Sequence, residues 1–107
     1  MKKRDPMWVL VMFDLPTLTV IERKEASHYR EYLKHIGFDM VQLSVYSRYL
    51  PNSGYLATLY KKIEVAIPDD GDVRALAVTD IEWSRTMHFQ GKKRVKIDEA
   101  PEQLLIF

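Results

Sequence analysis

The chain has no cysteine, which excludes disulfides, thiolate metal centres and a cysteine nucleophile together. Only four glycines and five prolines occur in 107 residues, and no linker, repeat or low-complexity stretch divides it. Charge of one sign is missing too: 16 basic and 15 acidic residues leave a net charge of +1. With no global positive field, any nucleic-acid contact must come from a local basic patch. No apolar run approaches the roughly 20 residues of a membrane span. The basic start Met1-Lys2-Lys3-Arg4 precedes an apolar stretch too short for a signal peptide. These absences predict a cytoplasmic protein with no membrane association. What is present, 47% hydrophobic and 11% aromatic residues, argues against disorder and for a single domain.

The most informative stretch is Met7-Trp8-Val9-Leu10-Val11-Met12-Phe13-Asp14, in which seven apolar residues end in a carboxylate. So short a run reads as a strand buried on both faces. Thr19 and Glu22 form a T-x-x-E capping box, and Ala26, Tyr29, Leu33 and Ile36 supply the apolar stripe of a helix that Gly37 ends. From Phe38 to Tyr49 the period changes to two, a strand with one polar face. Its length predicts a bend, bulge or split near Ser44. Pro51, Asn52 and Gly54 break it, Ser53 is positioned to cap a second helix, and Leu56, Leu59, Tyr60, Ile63 and Ile67 give that helix its apolar face. Further strands are predicted over 72–79 and 86–89. This order predicts an α+β, ferredoxin-like βαββαβ sandwich over 1–91, followed over 92–107 by a basic segment and a tail that adds a further strand. Helices cover only one sheet face in that fold. The polar set Gln42, Ser44, Tyr46 and Arg48 is expected to line the other, where a second copy of the chain would sit.

Several residues have chemical potential. A carboxylate at a strand end is held rigidly, as catalytic and metal-binding carboxylates are; equally, Asp14 can simply cap the turn before Pro16. A two-fold axis through the open sheet faces would bring two Asp14 carboxylates together, an arrangement that a cation such as Mg²⁺ relieves. Arg23, Ser27, Arg30 and Lys34 form a helical stripe able to follow a phosphate backbone or to serve as an ordinary solvated face. Lys92, Lys93, Arg94 and Lys96 place four cations in five residues, suited to phosphate contact or to solubility. Arg48 with Tyr46 pairs a guanidinium with an aromatic ring on one strand face, fit for nucleic acid or for a dimer interface. His28, His35 and His88 lack companion ligands, and Asp69, Asp70 and Asp72 lack the bidentate carboxylate of a calcium loop.

Asp14 closing the first strand, Arg23-Lys24 opening the first helix, and Gly37-Phe38-Asp39-Met40-Val41-Gln42-Leu43-Ser44-Val45-Tyr46 beginning the next strand resemble the CRISPR-associated endoribonuclease 2 family. The resemblance covers nearly the full chain. The Phe13-Asp14-Leu15-Pro16 start and the Gln42-x-Ser44-Val45-Tyr46-Ser47 run look most like the branch accompanying single-protein RNA-guided effector nucleases. It implies a ferredoxin-like homodimer with Asp14 of each subunit near Mg²⁺ or Mn²⁺, cleaving single-stranded RNA or duplex DNA. It also implies partnership with the CRISPR-associated integrase in capturing spacer DNA. Arg23 and Tyr46 match basic and aromatic positions of the family; Met40 stands where many members carry arginine. By the same resemblance Lys92, Lys93 and Arg94 would touch the duplex. Leu104, Leu105, Ile106 and Phe107 would add a strand to a partner or pack on the chain's own core. The competing expectations are a catalytically silent DNA-binding scaffold dimer and a toxin-like or regulatory module of the same fold.

Overall fold

Burial alternates along β1 (Met7–Asp14) and divides the molecule into two faces. Met7, Val9, Val11 and Phe13 are buried beneath the helices; on the other side Leu10 and Met12 are half-buried and Asp14 is exposed. A strand apolar on both parities calls for cover on both faces, and here the two long helices cover one. The computed structural model describes residues 5–97. The predicted tail strand, with Leu104, Leu105, Ile106 and Phe107, lies outside the described residues.

Helix α1 (Val20–His35) begins at the predicted capping box, with Thr19 Oγ1 accepting from the Glu22 amide at 3.0 Å and Glu22 Oε1 accepting from the Thr19 amide at 2.8 Å. Its buried stripe is Ala26, Tyr29 and Leu33. Gly37 follows with φ 97°, and a Cβ there would also stand 3.1 Å from Arg48 Nε, so both backbone and neighbour demand glycine. Strands β2 (Asp39–Gln42) and β3 (Val45–Leu50), helix α2 (Leu56–Val65) and strand β4 (Asp72–Thr79) complete the βαββαβ order. The sheet runs β2-β3-β1-β4 with every neighbouring pair antiparallel. This is the ferredoxin-like arrangement expected from the alternation of periods. Its core joins β1 to Tyr46 and Leu50 of β3, the α1 stripe, Phe38, and Leu59 and Ile63 of α2.

Tyr29 shows how that core is fastened. The side chain is 1% exposed, meets Phe13 edge-on at 5.8 Å, and donates its hydroxyl to the Ile63 carbonyl at 2.9 Å. Burial, with the neighbouring Tyr32 adding to it, pushes this phenol well above the ordinary 10.0. Because the folded state holds the proton more tightly, this contribution is complete below pH 10 and is lost as pH rises beyond it. Tyr29→Phe should therefore cost about 1–2 kcal/mol at neutral pH, since it strands a buried carbonyl. The gap from the parent should narrow at pH 11, where only the parent has this phenol to ionise on unfolding. Urea unfolding at the two pH values checks both; a constant gap would refute the linkage.

Three expectations need correction. The second helix is capped not by Ser53 but through a preliminary 3-10 turn: Asn52 Oδ1 accepts from the Gly54 amide at 2.8 Å, and α2 starts at Leu56. The strand expected at 86–89 is β5 (His88–Gln90), paired with an unforeseen β6 (Lys93–Val95). Between β4 and β5 lies a short helix, α3 (Asp80–Ser84), also unforeseen. The third correction concerns the predicted polar face. The expected split does occur, with a register shift between Met40 and Gln42 and a two-residue turn at Leu43-Ser44. That turn pairs Gln42 with Val45 and so reverses the parity. Tyr46 and Arg48 consequently face the helices, while Val45 and Ser47 share the open face with Gln42 and Asp39.

Candidate metal and nucleic-acid site

Asp14 is fixed by what flanks it. Phe13 and Leu15 are 7% and 8% exposed, and the Phe13 amide donates to the Ser44 carbonyl at 3.0 Å. The backbone at Asp14 therefore sits between two buried anchors while its carboxylate points to the open face. Directly opposite, across the β1–β4 ladder, stands Asp72. Facing antiparallel residues place their Cβ atoms about 4.5–5.5 Å apart, and like charges so placed repel. Asp72 was not among the predicted site residues. Its signal was its position: it opens a strand where Asp14 closes one.

The rest of the open face is graded. At the far end Trp8 donates Nε1 to Asp80 Oδ1 at 2.7 Å, stacks on Trp83 at 5.2 Å and meets Tyr49 edge-on at 5.3 Å. The short helix α3 thus folds over that end. Toward Asp14 the ladder sets Gln42, Val45, Met12 and Arg74 in one row, and Asp39, Ser47, Leu10 and Leu76 in the next. Leu76 is 50% exposed. This face is apolar in its middle and carries Asp14, Asp72 and Arg74 at its uncovered end.

The other predicted residues are dispersed. Arg23 Nη1 donates to the Thr17 and Leu18 carbonyls at 3.1 Å each, clamping the loop ahead of α1. Arg30 lies 5.9 Å from the centre of the Phe13 ring, and Lys34 pairs with Glu31 at 3.4 Å. Ser44 occupies the β2–β3 turn. Tyr46 is 1% exposed, and Arg48 donates to the Ile36 carbonyl at 2.8 Å, so neither reaches the Asp14 face. Met40 pairs with Tyr46 at the sheet edge, away from the row of Gln42 and Met12. Lys92, Lys93 and Arg94 are exposed on the β5–β6 hairpin, whose turn Gly91 makes possible with φ 62°. That hairpin spans positions 91 and 92 and forms a sheet of its own.

Comparison with known proteins decides the family. The family model described as CRISPR associated protein Cas2 matches residues 7–86, the segment from the start of β1 to just past α3. The chain belongs to the Cas2 family. A protein of Paracidovorax avenae called "CRISPR-associated endoribonuclease Cas2" is 40% identical over 101 residues, 94% of each chain. One of the same name from Parvibaculum lavamentivorans is 40% identical over 94% of this chain and all of its own length. Another, from Flavobacterium psychrophilum, is 38% identical over 94% of this chain and 88% of its own. The match to Cas2 spans both Asp14 and Asp72, so the facing carboxylates lie inside the family's domain. The β5–β6 hairpin lies beyond the matched segment.

A divalent cation can be weighed against this Cas2 site by the donors present. Among the described residues no three His, Cys, Asp or Glu side chains converge as a complete metal cage. Mg²⁺ needs no such cage, because it is commonly held by one or two carboxylates and keeps several waters. Asp14 and Asp72 supply two carboxylates on a rigid, exposed sheet end, and they fit that pattern. Among the described residues no helix is long and apolar enough to cross a membrane.

Proposed function

We propose that this Cas2 protein is a cytoplasmic homodimer that carries a Mg²⁺-dependent phosphodiesterase site and works with the CRISPR-associated integrase to capture foreign DNA. The observation that carries the reading is the placement of Asp14 opposite Asp72 at the uncovered end of an apolar sheet face. Two copies joined through Leu10, Met12, Val45 and Leu76 would bring their acidic ends toward a shared axis. Asp14 and Asp72 then hold the cation, Mg²⁺ or Mn²⁺, and Arg74 on the same face places a phosphate beside them. When bound, the metal supplies an activated water and charge stabilisation for phosphodiester hydrolysis. Single-stranded RNA and duplex DNA are the substrates to test. The endoribonuclease names of the relatives support the RNA arm. Cleavage should require added Mg²⁺ and stop with EDTA; a pure protein inert on both substrates would overturn the catalytic part.

A second reading, a DNA-bridging scaffold without catalysis, is favoured by the exposed hairpin that presents Lys92, Lys93 and Arg94. Reversing these three charges to glutamate should weaken duplex binding at least tenfold near physiological salt. It should also flatten the dependence of log K on log salt by about two to three, since each phosphate contact contributes about 0.9 to that slope. Unchanged affinity and slope would remove the hairpin from the DNA path.

A further inference from the structure

On the helix face, a second charged site collects around Tyr55. Arg48 reaches it from β3, with its guanidinium carbon 5.1 Å from the Tyr55 ring centre. Lys62 reaches it from α2, with Nζ 5.5 Å from the same centre. His35 and Tyr32, from the end of α1, line the same depression. Arg48 pairs with Val9, five residues before Asp14 on the opposite face of the sheet, roughly 17 Å along the strand. The two sites are therefore separate.

The cluster lacks a counter-charge. Among the described residues no carboxylate lies within ion-pair distance of Arg48 or Lys62. Each cation is attracted to the Tyr55 ring, but the two like charges drawn together there repel each other, and an incoming anion relieves that repulsion. The Tyr55 phenol is lowered from the usual tyrosine value by the neighbouring Lys62 above all, against an opposing effect of desolvation, and Arg48 adds to the lowering. Arg48 spends one N–H on the Ile36 carbonyl and retains others of the five a guanidinium carries.

We propose that the Arg48–Tyr55–Lys62 cleft binds a phosphomonoester dianion, carried either by a free nucleotide or by the end of a nucleic-acid strand. Two fixed cations in one depression match a group of charge about −2 better than the single charge of an internal phosphodiester. The assignment does not depend on Asp14 or on cleavage.

Fluorescence anisotropy with the full chain tests it. The probes are three single-stranded oligonucleotides of one sequence, bearing a phosphate at the 5′ end, at the 3′ end, or at neither. At least one phosphorylated probe should bind about fivefold more tightly than the hydroxyl probe, the worth of one partly exposed ion pair. Lys62→Gln, at an exposed position, should erase that preference without moving the melting temperature. Tyr55→Phe, which keeps the ring, should reduce it about threefold through the lost hydroxyl. Adenosine monophosphate as competitor separates the two sources: displacement identifies the free nucleotide as a ligand, and failure to displace assigns the site to strand ends. Equal binding of all three probes, or a preference that survives Lys62→Gln, would overturn the proposal.

Discussion

Asp14→Asn should reduce Mg²⁺-dependent cleavage by roughly a thousandfold, the scale of a metal's several kcal/mol on a transition state, while the fold stays intact. The substitution is close to isosteric and the side chain is exposed, so no packing is disturbed. It also removes the repulsion between two carboxylates that face each other across β1 and β4. Without metal the variant should therefore be as stable as the parent or slightly more so. With metal the order should reverse. A ligand that binds only the folded state stabilises it by RT ln(1 + [L]/Kd), about 1.4 kcal/mol at ten times Kd, and the parent alone should gain this on adding Mg²⁺. Thermal melts with and without Mg²⁺, beside a cleavage assay, supply both readouts. Full cleavage by clean Asp14→Asn protein would remove Asp14 from catalysis. Cleavage lost with spacer acquisition retained would leave the scaffold as the protein's biological role.

The place of Asp14 at the exposed end of the first strand was legible in the sequence because an apolar run that stops at a carboxylate has few structural readings. Its partner Asp72 was not, because strand pairing is a long-range fact: nothing near residue 72 says that it will face residue 14. Capping was a different matter. Thr79 and Glu82 repeat the T-x-x-E spacing of Thr19 and Glu22 and form the same two-way capping box, so α3 was readable and was missed because the helix behind it is one turn long. The misplacement of Tyr46 and Arg48 has a sharper cause. Simple alternation assumes one continuous strand, and a two-residue turn at Leu43-Ser44 inverts the parity of everything after it. That inversion carried Arg48 to the helix face, where it joined Tyr55 and Lys62, a grouping no local pattern announces. The basic stripe on α1 was correctly spaced, yet its members found other employment: Arg23 on loop carbonyls, Arg30 beside Phe13 and Lys34 with Glu31.

Leu76→Glu should convert the proposed dimer to monomers and abolish cleavage with it. In a single chain Leu76 is 50% exposed in the middle of the open face, so the change costs the isolated fold within about 0.5 kcal/mol. Across a two-fold interface the same change counts twice, because each copy presents its new carboxylate to an apolar partner surface. An unpaired charge taken out of water costs several kcal/mol, so association should weaken by a hundredfold or more. Equilibrium sedimentation over a concentration series measures this directly, and an unchanged melting temperature for the monomer would confine the effect to the interface. The conservative Leu76→Ala should show a much smaller shift, since it removes apolar area without adding charge. Loss of cleavage in step with loss of dimer, at a residue two positions along from Arg74 and four from Asp72, ties the catalytic site to the interface. Leu76→Glu protein that stays dimeric places the interface elsewhere, and monomers that still cleave at the parent rate would show that Asp14 and Asp72 of one chain suffice.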